Sequence, residues 1–167
     1  MKISQLFILI IITVIACSKT SEQEYFDKAD SLVKEKKYTE AVKEFENLIN
    51  EYPDSKIAPK SIMQIAALYE QHLIKGISFK ASFSKAAETY YTVFEKYPES
   101  EEAPLSLFQS GFLYDNELKD YDKATRTYNL FLEKYPDHKY TQVVQQSLDI
   151  MGIDPNDIIN KNQPANN

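Results

Sequence analysis

The sequence predicts an all-α fold, a short right-handed solenoid of three helical hairpins followed by a C-terminal capping helix. Three observations support this prediction: one apolar pattern occurs three times, proline follows each copy, and only 3 of 167 residues are glycine. Apolar residues spaced three and four apart form the stripe of an amphipathic helix. Proline ends a helix because it lacks an N–H and biases the preceding residue away from the helical region.

The three copies align without gaps and predict the second helix of each hairpin. Each copy has an aromatic residue, an alanine three residues later, a second aromatic four residues after that, and a closing Tyr-Pro pair. The copies span residues 38–53, 83–98 and 121–136. The alanines (Ala41, Ala86 and Ala124) are small enough for a partner helix to approach, and the aromatic side chains fill the space between stacked helices.

A second set of segments predicts the first helix of each hairpin. Residues 58–69 match residues 103–114, and residues 25–32 form a shorter version. Each of the two longer segments has proline in its first turn, where a helix tolerates it. Ala66 and Gly111 are the predicted small contact positions.

The second repeat is seven residues longer than the third, since Tyr-Pro begins at residues 52, 97 and 135. The surplus lies around residues 72–78 and should lengthen either the helices or the turn of the second hairpin. Beyond the last Tyr-Pro pair, residues 140–151 are predicted to form the capping helix, which Gly152 would end. The polar residues 153–167 are predicted to be a disordered tail, so the folded domain covers residues 23–152.

The N-terminus predicts export and lipidation. An apolar run of eleven residues, 6–16, is too short for a helix that spans a membrane, which needs about 20. Residues 1–16 are therefore predicted to be a signal peptide. Residues 14–17, Val-Ile-Ala-Cys, resemble the bacterial lipobox, which implies that Cys17 becomes the lipidated first residue of the mature chain. An uncleaved signal anchor with an incidental cysteine is the alternative.

If Cys17 is lipidated, residues 17–22 form a short tether between the lipid and the folded domain. Position 18 follows the cysteine and is serine rather than aspartate. By the enterobacterial sorting rule this residue favours an outer-membrane location, with the protein facing the periplasm.

The repeated residues resemble the tetratricopeptide repeat over residues 22–138. The resemblance implies a curved solenoid whose first helices line a concave groove that binds a protein or peptide. Carrying the family's groove positions onto this chain gives the following candidate site residues: Phe26, Asp30, Met63, Glu70, Leu105, Phe108, Phe112 and Asp115. For Phe108 and Phe112, packing between adjacent hairpins remains an equal alternative.

The Tyr-Pro endings combined with a lipobox resemble the BamD-type lipoproteins of the outer-membrane β-barrel assembly machinery. This resemblance implies an adaptor in outer-membrane protein assembly. A cell-envelope scaffold resembling the Tol–Pal-associated division coordinators, with repeats that mediate self-association, is the alternative function.

Other classes of function find little support in the composition. The net charge is −6 and acidic residues are interleaved with basic ones, so a nucleic-acid partner is not expected. The glycines are scattered and there is one cysteine, so neither a cofactor nor a metal is expected. His72 and His138 are predicted to be surface residues. An enzyme using paired carboxylates of the glutamate-rich helix faces is the remaining alternative, but charged helix faces are usually solvated.

Overall fold

A computed structural model describes residues 19–153, and within this range the chain forms seven α-helices and no strand. The helices are α1 (Glu22–Lys34), α2 (Tyr38–Glu51), α3 (Ala58–Glu70), α4 (Phe79–Lys96), α5 (Ala103–Phe112), α6 (Tyr121–Lys134) and α7 (Thr141–Ile150). A π-helical segment, Leu113–Glu117, continues α5. Helices α1 to α6 form three consecutive hairpins and α7 follows them, which confirms the predicted helical solenoid. The predicted signal peptide, Cys17 and the tail from residue 154 lie outside the described residues.

Polar side chains cap the beginnings of three helices. Ser21 and Glu24 form a capping box at α1, in which the Ser21 hydroxyl accepts from the Glu24 N–H at 3.2 Å and the Glu24 carboxylate accepts from the Ser21 N–H at 2.7 Å. Ser78 caps α4 and Asp120 caps α6 in the same way, each accepting from the N–H three residues later. These bonds satisfy N–H groups that have no partner inside the helix.

The second helix of every hairpin ends at the tyrosine of a Tyr-Pro pair, as predicted. Tyr52, Tyr97 and Tyr135 have φ of −135°, −135° and −131°, and ψ of 61°, 55° and 55°. This shared conformation lies outside the helical region, which the following proline disfavours. The same local rule therefore stops all three helices.

These three tyrosines also join each hairpin to the chain before it, and we call them the tyrosine ladder. The Tyr97 hydroxyl donates to the carbonyl oxygen of Pro53 at 2.7 Å, and the Tyr135 hydroxyl donates to that of Pro98 at 3.1 Å. In the first hairpin, the Tyr52 hydroxyl donates instead to the carbonyl of Thr20, which precedes α1, at 2.7 Å. The Thr20 carbonyl thus accepts the hydrogen bond that a proline carbonyl of the preceding Tyr-Pro loop accepts in the other two hairpins.

The insertion in the second repeat lengthens both the turn and the helix that follows it. The turn of the first hairpin has three residues, 35–37, whereas that of the second has eight, 71–78. Helix α4 also begins seven residues before its contact alanine, Ala86, while α2 begins only three residues before Ala41. The surplus residues therefore provide one additional turn of α4 and a longer connection.

The third repeat has one more residue than the first between its small contact positions, Gly111 and Ala124. The sequence spacing alone predicts that this extra residue lengthens the turn, but the structure places it in the helix. The turn, 118–120, keeps three residues, and the Leu118 N–H donates to the Leu113 carbonyl five residues back. A single extra residue inside a helix widens one turn into a π-helix, which explains the difference.

Small residues mark the helix contacts, as the sequence predicted. Ala41, Ala66, Ala86 and Ala124 are fully buried. A Cβ atom added at Gly111 would lie 2.6 Å from two ring carbons of Tyr128. Glycine is therefore required where α5 meets the tyrosine ring of α6, because no larger residue fits without movement.

Candidate functional site

Helix α7 has the position of the first helix of an incomplete fourth repeat. The loop that enters α7 repeats the hydrogen bonds of the earlier loops: the N–H groups of Ser55, Ser100 and His138 donate to the carbonyls of Tyr52, Tyr97 and Tyr135. The next bond of each loop is also repeated, ending with the Thr141 N–H and the His138 carbonyl. Residues of α7 can therefore be placed in register with those of α3 and α5.

The outer side of α7 is polar where the earlier first helices contact their second helices. Gln145 and Asp149 occupy the positions of Leu107 and Gly111 in α5, and both are exposed. The Gln145 amide donates to the Asp149 carboxylate at 3.3 Å. No second helix covers this side within the described residues, and its polar surface suits the end of a solenoid.

The same register places two exposed apolar residues of α7 on the groove side. Val143 is equivalent to Leu105, and Ile150 is equivalent to Phe112. Val143 is 44% exposed, Ile150 is 50% exposed and Phe112 is 36% exposed. Sequence analysis missed Val143 and Ile150 because the family positions were not extended past the last Tyr-Pro pair, although aligning the three Tyr-Pro pairs gives the register.

We call these equivalent groove positions the concave row, since the geometry of stacked hairpins makes the face of the first helices concave. From the N-terminal to the C-terminal end, the row contains Gln23 and Asp30 of α1, Lys60 and Ala67 of α3, Leu105 and Phe112 of α5, and Val143 and Ile150 of α7. Its N-terminal half is thus polar or small, and its C-terminal half is uniformly apolar and bulky.

The predicted groove residues of the first hairpin are mostly engaged within the fold. Phe26 packs edge-on against Phe45 with ring centroids 5.5 Å apart, and the Lys60 ammonium lies 5.1 Å from the Phe26 ring. Asp30 forms an ion pair with Lys34 one turn later. These contacts leave little apolar surface at this end of the groove.

In the second hairpin, Met63 and Glu70 also contact neighbouring helices. Met63 is half-buried against the cluster of buried residues that joins α3 to α6. The Glu70 carboxylate accepts a hydrogen bond from the Tyr90 hydroxyl at 2.8 Å. Burial, together with this carboxylate, raises the pKa of Tyr90 far above its usual value, so the hydroxyl remains a donor.

In the third hairpin, the structure separates Phe108 from Phe112. The Phe108 ring stacks on Tyr140 with centroids 4.9 Å apart and an interplanar angle of 14°, and it also lies near Tyr128 and Phe131. Phe108 therefore packs between the third hairpin and α7. Phe112 lies 6.3 Å from Phe108 and remains open to solvent.

Asp115, the last acidic residue of the predicted site, follows Phe112 by three residues and lies in the π-helical segment. Its side chain is half-buried, and burial raises the pKa of the carboxyl group while nearby Lys119 lowers it. Leu105, the remaining predicted residue, is also half-buried.

The two histidines are not free surface residues, contrary to the sequence prediction. His72 lies edge-on to the rings of Phe79 and Phe83, with centroids 4.3 Å and 4.2 Å away. His138 lies 5.7 Å from the Phe131 ring, and its Nδ1 accepts from the Tyr140 N–H at 3.4 Å. Both are half-buried because aromatic neighbours from other helices cover them.

Between residues 19 and 153 no group of three or more His, Cys, Asp or Glu side chains is arranged to hold a metal ion. Over the same stretch, no helix combines the length and apolar character needed to cross a membrane.

The fold and the concave row together define a helical-hairpin repeat protein of the kind that binds other proteins. The sequence profile of the tetratricopeptide repeat matches residues 25–55 and 105–138, which are the first repeat and most of the third. The chain is therefore similar to the tetratricopeptide repeat over these two segments. The matched ranges omit the second hairpin, whose longer turn and longer α4 change the spacing of the pattern. No curated protein matches the chain.

Proposed function

We propose that this protein is a lipid-anchored, periplasm-facing adaptor of the outer membrane that binds protein partners through the C-terminal half of its concave row. The observation that carries the proposal is the change along this row from polar or small residues to half-buried Leu105 and exposed Phe112, Val143 and Ile150. The tetratricopeptide repeats support a protein partner in general. The preferred pathway, outer-membrane protein assembly, rests on the resemblance to BamD-type lipoproteins.

The chemistry of the row favours a helical or extended segment that carries bulky apolar side chains. An amphipathic segment lays such side chains into a groove and removes apolar surface from water. Burial of a leucine or phenylalanine side chain contributes about 1.5–3 kcal/mol. Phe112 and Ile150 are the most suitable contact residues because both remain exposed while neighbouring Phe108 is packed.

The position of the first described residues is compatible with an anchor at Cys17. The Lys19 ammonium forms an ion pair with Glu51 at 2.9 Å and lies 4.5 Å from the Tyr52 ring, next to the bond between Tyr52 and Thr20. Cys17 precedes Lys19 by two residues, so a lipid there would lie within about 7 Å of backbone reach. The anchor would hold the end of the hairpins that contains the Tyr-Pro loops close to the membrane.

Site-specific photo-crosslinking in intact cells tests the proposed binding surface. A benzophenone amino acid replaces Phe112 in the lipidated protein, and the matched control replaces exposed Asn129 on α6. We expect partners to be captured from position 112 and not from position 129, and Phe112→Asp to reduce co-purification of the same partners at least tenfold. Equal capture from both positions, or none from position 112, would exclude the concave row as the binding surface.

The identity of the captured proteins distinguishes the two pathways. Components of the barrel assembly machinery would support outer-membrane protein assembly. Tol–Pal proteins, or a second copy of this chain, would favour the division scaffold. Either result is consistent with the adaptor role. Capture of metabolic enzymes alone, with no protein of either pathway, would contradict both.

A further inference from the structure

The longer turn of the second hairpin exposes two large apolar side chains at the end of the molecule opposite the Tyr-Pro loops. Phe79 is 70% exposed and Ile77 is 43% exposed. Phe79 is the most exposed of the large apolar side chains described here. We call residues 75–80 the tip.

The fold holds the tip in place rather than leaving it as a loose loop. Leu73 and Ile74 pack against the buried cluster of the first hairpin. His72 adopts a left-handed backbone conformation, with φ of 54°, and its ring lies between those of Phe79 and Phe83. Lys36 and Lys119 have the same left-handed conformation in the other two turns, so this conformation is the regular ending of the first helix of each hairpin. Phe79 is therefore supported on one side and presented to solvent on the other.

Lysines surround the tip. Lys75 and Lys80 flank the two apolar residues, and Lys75 shares a pocket of about 230 Å³ with Lys36 and Lys37 of the first turn. Glu40 lines the same pocket, and Glu35 accepts from Lys37 at 2.7 Å. Lys80 lines a second pocket together with Lys119, Lys123, Asp120 and Asp122. Six lysines and four carboxylates therefore surround the tip, a local excess of positive charge, although the whole chain carries a net charge of −6.

We propose that the tip is a membrane-contact site that inserts Phe79 and Ile77 into the interface of a bilayer containing anionic lipids. The two side chains offer on the order of 200 Å² of apolar surface, whereas a stable protein interface buries about 800 Å² on each partner. A lipid interface has no such requirement, because it accepts a projecting apolar side chain without a complementary shape. Each lysine near an anionic surface contributes about 1 kcal/mol, so flanking lysines strengthen this contact.

The tip site goes beyond the proposed adaptor function and does not depend on the concave row. Helix α3 has 13 residues, so the tip lies roughly 20 Å from the Tyr-Pro loops. If Cys17 carries a lipid, both ends contact one bilayer when the hairpins lie along its surface.

Vesicle co-sedimentation of the chain from residue 18 onward tests the proposal, since every described contact lies within residues 19–153 and this form retains them all. The probes are phosphatidylcholine vesicles with and without about one-third phosphatidylglycerol. We expect binding to the anionic vesicles only. Phe79→Ala should weaken binding at least fivefold, and Lys75→Gln and Lys80→Gln should each weaken it about fivefold. Ile77→Ser removes the second exposed apolar side chain and leaves the contact between His72 and Phe79 intact.

Lys139→Gln is the matched control, because it changes one exposed lysine away from the tip. It should bind vesicles as the parent chain does. Failure of the parent to bind anionic vesicles would overturn the proposal, as would equal binding by Phe79→Ala, Ile77→Ser and the parent. If Phe79→Ala instead abolishes capture of a protein partner while vesicle binding is absent, the tip is a protein-binding site and the lipid assignment is wrong.

Discussion

Gly111 shows how one missing Cβ atom positions two helices. Its α-carbon faces the Tyr128 ring, and an added Cβ would lie 2.6 Å from two ring carbons. Tyr128 is fully buried, so its ring has little space into which it can move. Burial raises the pKa of Tyr128 to about 12, because the charged phenolate would be poorly solvated in this interior position.

Gly111→Ala should therefore destabilise the protein by about 1–3 kcal/mol through overpacking, despite the better helix propensity of alanine. Chemical denaturation monitored by circular dichroism measures the loss. Tyr128→Leu supplies the control: in that background the same substitution should cost much less, and the double-mutant cycle isolates the contact. Equal losses in both backgrounds would show that the ring does not require glycine.

The sequence could predict Gly111 as a contact position but could not predict the roles of Phe108 and His72. The periodic pattern places Gly111 at a position where other repeats have alanine, and this depends on local spacing. Whether Phe108 is open or packed depends on Tyr140, which comes from a different helix. His72 is covered by Phe79 and Phe83 because the insertion folds back on α4, a tertiary contact without a sequence signature.

At the scale of the helices and their connections, the tyrosine ladder couples each hairpin to the preceding one. Its tyrosines are half-buried at the Tyr-Pro loops, and each hydroxyl donates to a backbone carbonyl of the previous loop or of Thr20. Burial raises the pKa of Tyr97 and of Tyr135, so both hydroxyls keep their proton further into the alkaline range than a free tyrosine does. The ladder adds polar links to the apolar contacts between stacked hairpins.

Tyr97→Phe removes the bond to Pro53 and should destabilise the protein by about 0.5–1.5 kcal/mol. Tyr91→Phe on the same helix is the matched control, because the Tyr91 hydroxyl makes no hydrogen bond in the described part of the chain. Urea denaturation of both variants measures the difference. If the two variants lose the same stability, the ladder makes no specific contribution.

The ends of the second helices were predictable, whereas the π-helical segment was not. Proline restricts the residue before it whatever the tertiary context, so each Tyr-Pro pair ends its helix in the same conformation. An extra residue between Gly111 and Ala124 can be placed either in a turn or in a widened helical turn. The two solutions have the same sequence spacing, and the π-helical hydrogen bonding of Leu113–Glu117 in the structure distinguishes them.

At the scale of the whole molecule, the structure divides into two ends and one groove. The Tyr-Pro loops and residues 19–20 lie at one end, and the turns with the tip lie at the other. The concave row runs across the first helices and becomes apolar toward α7. The sequence predicted the groove in general, but its apolar half became evident only when α7 was placed in register with α5.

Cys17→Ser should release the protein from membranes, because it removes the proposed site of acylation. Fractionation of cells into membrane and soluble parts, with detection of the mature and precursor forms, measures this release. Ser18→Ala is the control and should leave the protein in the membrane fraction. An uncleaved Cys17→Ser precursor that stays in the membrane as efficiently as the parent would instead indicate a signal anchor.

The contact of residues 19–20 with the first Tyr-Pro loop also decides how the protein would respond to tension on its N-terminus. A pull on Lys19 acts first on its ion pair with Glu51 and on the Tyr52–Thr20 hydrogen bond, both of which involve residues at the end of α2. These links would open before force reaches the capping box of α1. Under tension, the N-terminal segment would thus detach and extend by a few residues first, while the hairpins remain folded.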